Sequence, residues 1–196
     1  VNQTEQLVKD LWAFLQKKYG TQVVNKATAP EMVLIADALH LMGIADKDVF
    51  LTQFTTTLGK TIYVPYEVGV ESLEHPLLEQ LITGVHEHQH VIQMLTNGTR
   101  FVTSYLLDTT WRAAYEAEAY RVSMTMFYHL TGMMLDPQDL AALLKAYGTT
   151  TADQEFVAEY LRLSLPTIQA GGVPDEASRV ALDWLRQNSP ETLKAL

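Results

Sequence analysis

The chain predicts an α+β fold that is predominantly α-helical. Through most of its length apolar residues recur at three- and four-residue spacing, in segments opened by capping residues and closed by glycine. One stretch breaks this pattern: residues 49–64 are rich in β-branched and aromatic side chains around Leu58-Gly59-Lys60, and read as a β-hairpin. With 196 residues and 47% hydrophobic content, the chain can bury one substantial core, so a single domain over 1–196 is expected. Its parts are N-terminal helices (1–48), the hairpin with two central helices (49–132) and a helical C-terminal part (133–196).

The first helix is expected from Thr4 to about Tyr19, with Leu7, Val8, Leu11, Trp12, Phe14 and Leu15 as its buried stripe and Gly20 as its stop. A second opens where Thr28 precedes Glu31 by three residues and Pro30 fits the first turn; it is expected to end near Gly43. The hairpin strands are Val49 to Thr56 and Thr61 to Val64, after which Pro65 begins a connection carrying Glu67, Glu71 and Glu74. The next helix has Pro76 at its start, an apolar series of Leu77, Leu78, Leu81, Ile82, Val85, Ile92 and Leu95, and Asn97-Gly98 as its end. A long helix follows from about Asp108 to His129, with Trp111, Ala114, Tyr115, Ala119, Val122, Met126 and Leu130 buried and Gly132 as stop. Asp136-Pro137-Gln138-Asp139 opens a helix ending at Gly148. Thr151 with Gln154 opens another ending before Pro166, and Gly171-Gly172-Val173-Pro174 introduces the last.

The helix after the hairpin carries His86-Glu87-His88-Gln89-His90 in its middle. Residues i and i+4 project from one helix face, so His86 and His90 can share a metal ion while Glu87 lies beside it to move protons. The chain has no Cys, so a transition metal must be held by His and carboxylates. A catalytic zinc takes three protein ligands and leaves a fourth position for water, so one more ligand is needed. The segment Tyr115-Glu116-Ala117-Glu118-Ala119-Tyr120 is its best source, because small residues there let two helices approach closely. His88 lies about 200° around the helix from His86 and is read as structural. His40 and His75 have no recognisable ligand partner, and Met124, Met126, Met133 and Met134 are read as core or lid residues, not a copper site.

In having HExxH followed by such a helix, the chain resembles the gluzincin metallopeptidases, particularly the small bacterial and phage-type minimal gluzincins. Their second motif often reads Glu-x-x-Ala-Asp, with its first Glu on zinc. Glu116-Ala117-Glu118-Ala119 fits Glu-x-x-Ala, so the resemblance implies Zn2+ held by His86, His90 and Glu116, with Glu118 as the alternative third ligand. Tyr120 stands where the family commonly has Asp. The resemblance spans roughly Leu58 to Tyr120 and implies a zincin-like domain that binds extended substrate along Thr61 to Val64 as an edge strand. The implied activity is zinc-dependent hydrolysis of amide bonds, with Glu87 as the general base that passes the water proton to the leaving amine. Tyr120, Arg121, Tyr128 or His129 would supply the oxyanion donor.

A formal charge of −9 and 14 scattered Lys and Arg residues argue against a nucleic-acid or anionic-membrane partner. No apolar stretch has membrane-spanning length and the first twenty residues are amphipathic, so a soluble, cytoplasmic protein without a signal peptide is expected. A virion or a non-classical secretion route is the further location considered. The expected partner is a peptide or protein substrate; Glu67, Glu71 and Glu74 read first as a solvated face, with a preference for basic substrates as the further reading, and no pattern specifies an oligomer. Two rival readings stand beside this one. The first is a catalytically silent zincin-fold binding or structural protein, such as a phage or secretion-particle component or a regulator, that retains the metal. The second is a helical interaction module in which the motif is accidental.

Overall fold

Helices dominate the computed structural model, which describes residues 3–41 and 46–194. The chain divides into two compact units, Val1–Glu87 and His88–Leu196, and the division falls within one continuous helix, α4.

In the first unit, α1 (Gln3–Tyr19) buries Val8, Leu11, Trp12 and Leu15, the stripe its spacing predicts; Leu7 and Phe14 are half-buried. Strand β1 (Gln22–Asn25) follows at once, an element the sequence pattern did not reveal. Then come α2 (Pro30–Leu41), α3 (Lys47–Gln53), β2 (Thr56–Leu58) and β3 (Thr61–Val64). The expected stop of α2 at Gly43 lies outside the described residues. The strand expected from Val49 to Thr56 is mostly helix: Asp46 caps α3 by accepting from the Val49 amide at 3.0 Å, and only the tail of that stretch pairs as β2. A good N-cap thus overrides β-branched composition.

The sheet order is β1-β3-β2, with β1 parallel and β2 antiparallel to β3. The hairpin of β2 and β3 is present, but β3 is the central strand. Thr61–Val64 is therefore not an edge for substrate, because β1 occupies its second side. Ala29, Met32 and Tyr63 form a core beneath the sheet with Val24, Ile35, Phe50 and Leu51. The connection to α4 (Leu77–Asn97) is knitted by the buried Gln80 amide, which accepts from the Gly69 amide and donates to the carbonyls of Val70 and His75. His75, unassigned from sequence, packs at a tilt against Tyr66 with ring centroids 4.7 Å apart and sits 3.2 Å from the Thr52 carbonyl. Trp12 lies against Gly84 and donates from Nε1 to the Gln80 carbonyl at 2.9 Å.

The second unit is built around α6 (Thr109–Thr131). Asp108 caps it by accepting from the amides of Thr110 and Trp111, and Gly132 ends it at φ +74°, a conformation that favours glycine. Its Ala113, Ala117, Tyr120 and Met124 join Ala141, Leu144, Val157, Ala158, Leu161 and Ile168 in one core. These come from α7 (Pro137–Leu143), the turn after it, and α8 (Thr151–Gln169). Trp111, expected inside, is 53% exposed because it sits at the first turn. A short helix, α5 (Thr99–Leu107), fills the gap after Gly98 and was not foreseen. The capping box of α8 pairs Thr150 with Asp153, one residue earlier than Thr151 with Gln154. The helix also continues through Pro166 to Gln169, with Ile168 fully buried; that burial offsets the missing amide bond at the proline. In α9 (Glu176–Asn188), Asp175 stands at the N-cap but sends its carboxylate to Arg121, at 2.6 and 2.9 Å. Among the described residues no helix is long and apolar enough to cross a membrane.

Candidate metal centre

Helix α4 carries His86 and His90 one turn apart, and α6 carries Glu116. Each offers a ligand atom, and these atoms lie within 4.8 Å of one another. His90 Nε2 is 3.6 Å from Glu116 Oε1, close to the roughly 3.4 Å that separates neighbouring ligand atoms of a tetrahedral zinc with bonds near 2.1 Å. Two imidazoles and one carboxylate are a donor set that zinc accepts, so the residues fit a metal ion. His86 is half-buried, His90 is 7% exposed and Glu116 only 1%. A carboxylate that deep needs a compensating charge or hydrogen bonds.

The orientation of His90 is set by Gln93, one turn further along α4. Gln93 Nε2 donates to the Tyr115 carbonyl at 2.9 Å and to Glu118 Oε2 at 2.8 Å, two groups that only accept here. Its amide oxygen therefore faces His90 Nδ1, at 2.9 Å, which must carry the proton. Nε2 is left as the lone-pair nitrogen on the Glu116 side. Of the two carboxylates left open by the sequence, Glu116 joins the histidines, while Glu118 supports Gln93 from behind. His88 is fully buried and stands outside the triad.

Glu87, the residue after His86, is buried and accepts from the Thr57 hydroxyl at 2.6 Å. Thr57 belongs to β2, an edge strand of the sheet. In the same unit, the Glu87 carboxylate raises the pKa of the buried Lys26 against the larger downward push of burial. Aromatic rings surround His90 in the second unit: Phe101 at 6.5 Å and Tyr105 at 6.2 Å, the latter edge-on. The Tyr105 hydroxyl donates to Glu116 Oε1 at 2.5 Å.

Of the four residues expected as oxyanion donors, Arg121 and Tyr128 are hydrogen-bonded elsewhere, and Tyr120 and His129 are buried. Tyr120 lies in the α6–α8 core, Arg121 is paired with Asp175, and Tyr128 donates to the Gln169 carbonyl. His129 is buried against Tyr128, its pKa lowered by burial and by Arg186. The sequence reading also passed over Gln93, Thr57 and Tyr105 as parts of the site. Gln93 carried a usable signal, since i+3 from His90 is the same helix face. Thr57 and Tyr105 carried none, because their placement depends on the hairpin register and on α5.

No protein-family model matches the chain, and comparison with curated proteins and with solved structures finds no significant match.

Proposed function

We propose that the chain is a zinc metallopeptidase of the gluzincin type, hydrolysing amide bonds in a peptide or protein. The observation that carries this reading is the convergence of His86, His90 and the buried Glu116 on one point, with Glu87 next to a ligand in the same helix. Zinc held there supplies a Lewis acid and a bound water that ionises near neutral pH. Glu87 would be the group that takes a proton from that water. Thr57 holds its Oε2, so Oε1 would receive the proton and deliver it to the departing amine. Gln93 keeps the proton of His90 on Nδ1, so Nε2 remains a donor to the metal.

The test combines metal content with turnover. The parent protein should hold about one zinc per chain, and His86→Ala and Glu116→Ala should lose it. Glu87→Gln should retain the metal and lose cleavage of a fluorogenic peptide library by at least about a hundredfold. No metal in the parent after zinc is supplied, or undiminished cleavage by Glu87→Gln, defeats the reading.

A second reading draws support from the burial of Glu87 and from Tyr120, which packs in the core where the family commonly has Asp. In it the chain is a binding or structural protein that retains the metal without turnover. Stoichiometric zinc with no Glu87-dependent cleavage would select it.

A further inference from the structure

We infer that Tyr105 is a positioning residue of the metal centre, holding Glu116 in its ligating orientation; the inference rests on the metal reading above. Terminal torsions of Glu are broad, so a carboxylate becomes a fixed ligand only when something besides the metal restrains it. Among the hydrogen bonds of Glu116, the Tyr105 hydroxyl donates to Oε1 at 2.5 Å, and that oxygen is the one 3.6 Å from His90 Nε2. A carboxylate oxygen has two lone pairs, so one can accept the phenol while the other faces a cation. A phenol also differs from Arg or Lys in being a neutral donor. It restrains the buried carboxylate without cancelling the negative charge that a divalent cation needs.

Tyr105 is itself held on both sides. Arg112 Nε donates to the Tyr105 carbonyl at 2.8 Å, Nη2 to the Leu106 carbonyl at 2.9 Å and Nη1 to the Tyr147 carbonyl at 2.6 Å, so the guanidinium caps the end of α5. One turn earlier Phe101 packs 5.7 Å from the Tyr105 ring and 4.6 Å from Tyr115. The phenol thus reaches Glu116 from a helix end fixed by Arg112 and wedged by Phe101. A merely structural tyrosine would need its ring there and not its hydroxyl.

The experiment compares the parent with Tyr105→Phe, which keeps the ring and removes the hydroxyl. Zinc affinity is read by competition with a chromophoric chelator, the ligand field by the visible spectrum of the Co(II)-substituted protein, and folding by circular dichroism of the metal-free chain. Tyr105→Phe should bind zinc about 10- to 100-fold more weakly and shift the Co(II) bands while remaining folded. Arg112→Gln, which releases the carbonyl of Tyr105 but keeps its hydroxyl, should give a smaller loss in the same direction and serves as the readout if Tyr105→Phe fails to fold. Affinity within twofold of the parent with unchanged Co(II) bands overturns the inference, in Tyr105→Phe or, where that variant does not fold, in Arg112→Gln. A parent that binds no metal overturns the metal reading together with this one. A parent that binds while Tyr105→Phe is unaffected removes Tyr105 alone.

Discussion

Lys26 is fully buried, which is rare for lysine, and its surroundings explain how the chain tolerates it. Its Nζ donates at 2.8 Å to the carbonyls of Phe50 and Phe54, at the end of α3, and lies 2.8 Å from Thr56 Oγ1; it also sits 3.6 Å above the Phe50 ring. Burial pushes its pKa down to about 7, against a weaker upward pull from Glu87. The neutral amine keeps all three contacts: two N–H groups serve the carbonyls while the Thr56 hydroxyl reverses and donates to the nitrogen lone pair. Lys26→Met should destabilise the chain by about 2–3 kcal/mol in denaturant titrations, because those carbonyls lose their donor. The pH dependence has a definite sign. An unfolded lysine holds its proton to about 10.4, so between about pH 7 and 10 unfolding takes up a proton. Raising the pH through that window should therefore stabilise the parent relative to Lys26→Met. A difference that is flat or falls with pH would contradict the assignment.

Between elements, Trp12 in α1 packs closely on Gly84 in α4, just before the motif. A Cβ at residue 84 would lie 2.6 Å from Trp12 Cε2 and 2.8 Å from Nε1, on a ring held by its bond to the Gln80 carbonyl. Alanine is the better helix former by about 1 kcal/mol, so the two effects oppose each other. Overpacking against a pinned, buried indole should win, and Gly84→Ala should lower the denaturant midpoint by an amount equal to roughly 1–3 kcal/mol. A raised midpoint would show that α1 moves freely away from α4.

The same element scale shows what could be read from sequence. Helices α1 and α4 were legible from a periodic apolar stripe, and α6 and α7 from their ends, Asp108 and Gly132 around α6 and Asp136-Pro137 at the start of α7. Strand β1 escaped because a four-residue segment with two half-buried valines has no period to detect. Helix α5 escaped because its outward face carries Val102, Leu106 and Leu107, all exposed, beside the inward Phe101. With only nine residues and a start at Gly98 that has no side-chain cap, it also lacks the boundary signal that marks the longer helices. The two histidines needed only helical geometry. Choosing Glu116 over Glu118 needed the rotation of α6, and that is set by a core of Ala113, Ala117, Tyr120 and Met124 whose partners are distant in sequence.

At the scale of the whole molecule, an excess of acid residues gives a net charge of −9, which favours approach of a divalent cation and disfavours polyanions. Two of the three donors are withdrawn from water, Glu116 at 1% and His90 at 7% exposure, while His86 is half-buried. That withdrawal has a kinetic consequence. For zinc held there as proposed, a chelator too large to enter would meet the ion only after a local opening, so metal loss would be governed by the frequency of that opening and not by collisions. The rate of zinc removal should rise with chelator concentration only at first and then level off at a value that reports the opening itself. A rate that stays proportional to chelator up to millimolar concentrations would mean that the ion sits open to solvent.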